Sequence, residues 1–276
     1  MSPARPSLVT LRARLREAAE ESEIAALIEL LEPDERAGAQ QLRLQALRRL
    51  EAGRADRERI ARLLELRNEL ALRGARGIAG VDEVGVGPLA GPVVAAAVVL
   101  PESFSLPGLD DSKRVRPARR ESLAAEIRAV AIGFGIGEVR VEEIDQIGIY
   151  QAALEAMRRA VKSLERTVTV DHVLVDARTI PGVTQPQTSI IKGDQKDASI
   201  AAASIVAKVY RDRLMTTLGH RYPAYGFEQH MGYGTAAHLS ALERAGPCPA
   251  HRRSFAPVER AERLIRARNV QPSPGR

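Results

Sequence analysis

The sequence predicts an α/β domain, a mixed sheet flanked by helices, behind an all-helical N-terminal extension. Three observations predict it. Residues 7–72 place apolar side chains at helical spacing throughout. From Gly77 the pattern changes to short apolar runs that alternate with helical stretches and are separated by turn residues. Three of these runs lead into a carboxylate, at the kind of strand end where open α/β sheets build their sites.

In the extension, residues 1–76, Leu11, Leu15, Ala18 and Ala19 recur at helical spacing, as do Ile24, Leu27, Ile28 and Leu31. Pro33 and Gly53 are the expected interruptions, and a third helix is expected from about Ala55. Its mixed Arg and Glu positions read as a solvated face. In the α/β domain, residues 77–262, strands are expected at 78–82, 92–100, 131–141, 168–175 and 188–191. Helices are expected at 117–130, 148–164 and 197–217, with another starting near Thr235. Residues 263–276 read as a C-terminal tail, frayed from Gln271.

The 276 residues suffice to bury a sizeable core, and the net charge of +6 is compatible with a nucleic-acid partner. That charge is spread out: the first 76 residues carry +2 and the remainder +4. A single cysteine, Cys248, excludes an internal disulfide and any multi-cysteine zinc site, and fits a reducing interior. The longest apolar run, Val93 to Leu100, lies between two prolines and is far too short for a bilayer. A cytoplasmic protein with no membrane contact is expected.

The chemistry concentrates at Gly80 to Pro92, Gly-Val-Asp-Glu-Val-Gly-Val-Gly-Pro-Leu-Ala-Gly-Pro. Adjacent side chains on a strand face opposite ways, so Asp82 and Glu83 converge only where the strand ends or bends. The glycine-rich turn supplies that end, and Gly85 and Gly87 let backbone approach a ligand. Asp176 ends the run His172-Val-Leu-Val-Asp, and Asp194 follows Ile190-Ile-Lys-Gly. Oxygen donors without His or Cys suit hard cations, Mg²⁺ or Mn²⁺. Four carboxylates together need cations among them, and two ions roughly 4 Å apart are the usual arrangement for phosphodiester hydrolysis. The chain uses 36 Arg and 5 Lys, yet Lys113, Lys192 and Lys208 all fall beside these stretches. Tyr222, Tyr225, Phe227 and Tyr233 crowd around His230, as a stacking surface for sugar or base or as a packed loop.

Several stretches together resemble the bacterial ribonuclease HII family. They are Ile78-Ala-Gly-Val-Asp-Glu-Val-Gly-x-Gly-Pro-Leu-Ala-Gly-Pro, Asp111-Ser-Lys, Val173-Leu-Val-Asp, Ile191-Lys-Gly-Asp, Ala201-Ala-Ala-Ser-Ile-Val-Ala-Lys-Val-x-Arg-Asp, Tyr225-Gly-Phe and Arg252-Arg-Ser-Phe-Ala-Pro-Val. The resemblance covers about residues 77–260, and the helical N-terminus resembles an extension that some bacterial members carry. It implies a ribonuclease H-like fold and endonucleolytic cleavage of RNA in RNA–DNA hybrids, including a ribonucleotide embedded in duplex DNA. By position, Asp82, Glu83, Asp176 and Asp194 would be the catalytic metal ligands for two Mn²⁺ or Mg²⁺ ions. Tyr233 would pack on the sugar at the RNA-to-DNA junction, and the loop at Gly85, Val86 and Gly87 would contact the 2′-hydroxyl. Ser112, Lys113, Lys192, Lys208 and Arg211 would also lie on the substrate side, in a protein expected to act as a monomer in DNA replication or repair.

Two positions depart from the family pattern. Its Gly-Arg-Gly is here Gly85-Val86-Gly87, and the lysine of its Lys-Gly-Tyr is here Met231. With two cationic side chains gone, an intact metal centre with weaker hybrid binding is expected. The alternative is a hybrid-binding protein whose catalysis is weakened or lost.

Overall fold

The computed structural model describes residues 6–270, which form two compact units divided between Arg62 and Leu63. The tail expected from Gln271 lies outside the described residues.

The first unit is helical. Helix α1 (Leu8–Glu17) is capped by Ser7, whose hydroxyl accepts from Thr10 N–H at 3.1 Å. Helix α2 (Glu21–Leu31) begins with the Glu23 carboxylate accepting from Glu20 N–H at 3.0 Å. Leu11, Leu15, Ile24, Leu27, Leu31 and Leu42 close a core between these helices and α3 (Ala37–Leu63). Pro33 interrupts as expected, but Gly53 sits inside α3, a single helix of 27 residues. Proline removes a donor and clashes with the preceding turn, whereas an interior glycine costs only about 1 kcal/mol. Cross-helix ties offset that: Arg54 Nε donates to Glu21 at 2.6 Å and Arg43 Nη2 to Glu32 at 2.8 Å.

The second unit opens with α4 (Glu65–Leu72), which the sequence assigned to the extension. Its Leu70 packs with Ile78, Leu174 and Ile200, and Arg67 Nη2 donates to the carbonyls of Leu100 and Pro101 at 2.6 and 2.7 Å. The chain then runs β1 (Ile78–Val84), β2 (Val93–Val99), α5 (Pro117–Val130), β3 (Gly133–Val139), α6 (Val141–Ile147), α7 (Ile149–Leu164), β4 (His172–Asp176) and β5 (Gln187–Ile190). After one 3₁₀ turn at Gly193–Gln195 come α8 (Ala198–Arg221), α9 (Phe227–His230), α10 (Ala236–Ala245) and α11 (Ala256–Val270). Helix α11 therefore occupies the described part of the segment read as a tail.

The five strands lie in the order β3-β2-β1-β4-β5. β1, β2 and β3 pair antiparallel, and β4 and β5 add on parallel to β1. Ala79, Val81, Ala95 and Ala97 face α7 through Ala153, Ala156, Met157 and Ala160. The alternate side chains face α8, where Ala201, Ala202, Ala203 and Ser204 allow close approach. Gly80 shows how close: a Cβ there would stand 2.1 Å from the Ser199 carbonyl carbon. Both faces of the sheet are covered, which is why β2 is apolar and buried along its whole length. Among the described residues no helix is long and apolar enough to cross a membrane.

Candidate active site

The two-residue alternation of β1 continues to its end and splits the first carboxylate pair. Asp82 lies on the α8 side, within hydrogen-bonding reach of Ser204, and is buried. Glu83 lies on the other, where Arg178 Nη1 stands 3.5 Å from its Oε1. The pair is stitched together by Glu83 N–H, which donates to Asp82 Oδ1 at 2.8 Å. Parallel pairing sets Val81 beside Val175, so Asp82 and Asp176 leave adjacent strands at the same edge. Asp176 Oδ1 accepts from Gly193 N–H at 2.7 Å. Beyond β5, Lys192 takes a left-handed conformation (φ 57°) and the 3₁₀ turn carries Asp194 back into the protein, where it is buried. The edge thus gathers Asp82, Glu83, Asp176 and Asp194.

Asp82, Glu83 and Asp194 all carry raised carboxyl pKa values at this edge. Burial, then the neighbouring Glu83, holds the Asp82 carboxyl well above the usual carboxylate range, with Asp176 and Asp194 adding to the effect. Burial also raises Glu83, against the opposing pull of Arg178. Asp194 is pushed up to about 6 by burial and by Asp111 and Asp176. Asp111 is a fifth acid that the sequence reading did not single out. Its Oδ1 accepts from Lys113 N–H at 2.9 Å and its Oδ2 from Gln195 Nε2 at 3.2 Å, so it braces the turn carrying Asp194. The exposed Lys113 ammonium feels all these acids: burial lowers its pKa, but Asp111, Asp194, Asp82 and Asp176 more than offset that and raise it.

The glycine loop is held from inside. Gly85 has φ 91°, and a Cβ there would stand 2.2 Å from Arg211 Nε. Arg252, wholly buried, donates to the carbonyls of Gly85, Val86, Pro88 and Gly91 at 2.6 to 3.1 Å. Arg211 donates to those of Ala90, Pro92 and Met231 at 2.9 to 3.0 Å. This overturns the expectation that Arg211 meets substrate: it is fully buried and spends its N–H groups on main-chain carbonyls. Ser112, expected on the same side, is buried too, and its hydroxyl accepts from Ser204 Oγ at 2.9 Å behind the acids. Lys208 donates to Asp212 at 2.6 Å, one turn further along α8, while Lys192 is exposed at its turn.

Of the aromatic cluster, Tyr225 and Phe227 are core residues, stacked with ring centres 5.4 Å apart. Tyr233 is 44% exposed, and its ring edge lies 3.6 Å from where a Gly87 side chain would begin. The loop apex and this ring therefore stand side by side. Val86 turns inward instead and packs against the α7-side core.

With that arrangement in view, the comparisons with known proteins are decisive. The family model described as ribonuclease HII matches residues 79–258. The chain belongs to the ribonuclease HII family. A second model, the ribonuclease HII N-terminal domain, matches residues 9–71. A ribonuclease HII of Bacillus mycoides is 52% identical over 231 residues, covering 84% of this chain and 89% of its own. One of Myxococcus xanthus is 53% identical over 236 residues, covering 85% and 80%. Among solved structures, the ribonuclease H2 of Pyrococcus horikoshii superposes with a TM-score of 0.60 at 27% identity, covering 68% of this chain and 98% of its own. The fold is that of ribonuclease H-type enzymes, and the chain is a nuclease of that class.

The carboxylate edge fits a hard divalent cation by the chemistry of its donors. Every donor is a carboxylate oxygen, burial disfavours ionisation of Asp82, Glu83 and Asp194 without a counter-charge, and Glu83 Oε2 is buried without a hydrogen-bond partner. Among the described residues no three such side chains already stand in ligand geometry, since Asp82 is turned to Ser204 and Glu83 to Arg178.

Proposed function

We propose that this ribonuclease cleaves the RNA strand of RNA–DNA hybrids and incises duplex DNA on the 5′ side of an embedded ribonucleotide, leaving 5′-phosphate and 3′-hydroxyl ends. The observation that carries it is continuity. The carboxylate edge, the Gly85–Gly87 loop and the exposed Tyr233 ring follow one another along one surface of the second unit.

In this reading Asp82, Glu83, Asp176 and Asp194 hold two Mn²⁺ or Mg²⁺ ions. When bound, such ions lower the pKa of water and stabilise charge on phosphate oxygens. The protein does the positioning. Tyr233 lies against the sugar at the junction, and the loop, its carbonyls held by Arg252 and Arg211, offers backbone to the 2′-hydroxyl that separates RNA from DNA. Lys113 and Lys192, both exposed, supply positive charge to the phosphate backbone. The enzyme acts as a cytoplasmic monomer.

The test is cleavage of a labelled DNA duplex containing one ribonucleotide, with all-DNA and long-hybrid controls, in Mn²⁺ and in Mg²⁺. Incision 5′ of the ribonucleotide, absent from the all-DNA control, supports the reading. Cutting of the long hybrid alone removes the junction-reading part. Binding without cleavage of either substrate points to a hybrid-binding protein and overturns it.

A further inference from the structure

Arginines in this protein fall into recognisable kinds. Arg252 and Arg211 are structural, buried with their N–H groups aimed at carbonyls. Arg159 is an ion-pair residue, bonded to Glu143 and Glu155. Arg178 fits neither kind. It lies two residues beyond Asp176, its side chain a quarter exposed, its guanidinium carbon 5.2 Å above the centre of the Tyr150 ring. Its Nη1 is 3.5 Å from Glu83 Oε1, yet makes no hydrogen bond, and neither does Glu83 Oε2 beside it.

The backbone beneath this side chain is fixed. Ala177 is held left-handed at φ 54°, with its N–H donating to Ile190 carbonyl at 3.0 Å. Ser189 Oγ donates to the Arg178 carbonyl at 2.5 Å, and Thr179 Oγ1 lies 3.2 Å from the same hydroxyl. A non-glycine residue in that region is strained, and such strain persists where the surroundings over-determine it. The result is a guanidinium supported on an aromatic face at the rim of the carboxylate edge, with a donor unspent. Leaving a buried donor unpaired is costly, so a ligand that accepts from it is favoured. Guanidinium forks match the paired oxygens of a phosphate.

We propose that Arg178, carried on Tyr150, binds a non-bridging oxygen of the substrate phosphate at the carboxylate edge. Glu83 is shared: while it faces Arg178 the guanidinium is held in reserve, and when Glu83 turns to the cation site Arg178 is released to the phosphate. The inference rests on the nuclease reading above and adds a substrate contact on the α7 side of the site, opposite Ser204.

The experiment measures binding as well as turnover. Fluorescence anisotropy of the duplex with one ribonucleotide is recorded in Ca²⁺, chosen to fill an oxygen-donor site, for the intact chain and for Arg178→Gln, Arg178→Lys and Tyr150→Ala. Arg178→Gln is expected to weaken binding about tenfold and to lower the slope of log affinity against log salt by about one. Arg178→Lys keeps the slope but loses kcat in Mn²⁺, because an ammonium cannot reproduce the fork. Tyr150→Ala falls between the two. If Arg178→Gln binds with unchanged affinity and slope while only its half-saturating Mn²⁺ concentration moves, Arg178 is merely the partner of Glu83 and the inference is overturned. If the unaltered protein itself neither binds nor cuts the duplex, the nuclease reading fails first. Thermal unfolding of each variant guards against misfolding, and Arg178→Lys, which keeps charge and bulk, provides the folded comparison.

Discussion

Arg252 Nη2 donates to the Gly85 carbonyl at 2.6 Å across 167 positions of sequence, and its other donors take the carbonyls of Val86, Pro88 and Gly91. Arg211 and Arg252 lie behind one loop, both buried, and among the described residues no carboxylate is hydrogen-bonded to either guanidinium. Burial, then the neighbouring Arg211, lowers the pKa of Arg252 to about 9, so it stays charged at neutral pH. Replacing it strands four carbonyls. Arg252→Met should lower unfolding stability by about 3–5 kcal/mol, since several buried carbonyls lose their donor at once and each buried acceptor left unsatisfied costs about 1–3 kcal/mol. Arg252→Lys should rescue little, since three donors on one atom cannot span the fork. Urea denaturation of the three proteins checks both statements.

Asp194, raised to about 6, gives a pH dependence with a definite sign. A raised carboxyl pKa means that the metal-free fold gains from the protonated form. That contribution is fully present below the unfolded value of about 4 and is lost as pH rises through about 6. Cation binding needs the ionised form, so the thermal stabilisation given by Mn²⁺ should be small at pH 5 and grow through pH 6 to 8. A melting series with Mn²⁺ and with EDTA reads this directly; a Mn²⁺ shift independent of pH would contradict it.

Asp82→Asn separates stability from function. The amide is nearly isosteric with a carboxyl whose ionisation burial, then Glu83, disfavours, so the metal-free variant should melt at or above the temperature of the original at pH 8. Its Mn²⁺ shift and its cleavage should both disappear. Retained cleavage would remove Asp82 from the set of ligands.

Tyr233 is supported by a chain of imidazoles. Cys248 N–H donates to His251 Nδ1 at 3.0 Å, which leaves the His251 proton on Nε2, 3.0 Å from His238 Nε2. His238 Nδ1–H then donates to the Tyr233 carbonyl at 2.8 Å. Burial keeps both rings neutral and pushes His251 down to about 3. For these bases the sign is opposite to that of Asp194: their stability is present above the unfolded value of about 6.5 and is lost as pH falls below it. His238→Phe should cost about 1–3 kcal/mol by leaving polar groups unpaired. Tyr233→Ala, at an exposed side chain, should change stability by less than about 0.5 kcal/mol while depressing incision at a single ribonucleotide.

Val86 tests the missing cation. Val86→Arg should tighten hybrid binding and steepen its salt dependence by about one unit of slope. Some stability will be lost as well, because Val86 packs into the α7-side core. Unchanged affinity would mean that phosphate contacts at this corner come from elsewhere.

Much of this was legible from residue pattern. The helices at Pro117–Val130 and Ile149–Leu164 and the strand ends bearing Asp82, Glu83, Asp176 and Asp194 follow from periodicity and turn residues. What escaped involves partners that leave no trace in a sequence. The family resemblance puts Arg211 on the substrate side, and nothing in one sequence shows that backbone carbonyls consume it. Arg178 carried no motif at all; its place is set by Ala177, a left-handed residue that is not glycine. Asp111 was visible only beside Ser112 and Lys113, and its tie to Gln195 spans 84 positions. Gly53 was overread, because helix formers on both sides outweigh one flexible residue.

The reach of Arg252 bears on when the enzyme becomes active during its own synthesis. Asp82 and Glu83 leave the ribosome first, Asp176 and Asp194 roughly a hundred residues later, and the residue that fastens the glycine loop about sixty residues after those. A partly made chain therefore holds the acids but lacks the brace that shapes the loop beside them. Products cut short before Arg252 should be inert toward nucleic acid even though every carboxylate is present, and competence should arrive only once Arg252 has been made and can reach the loop.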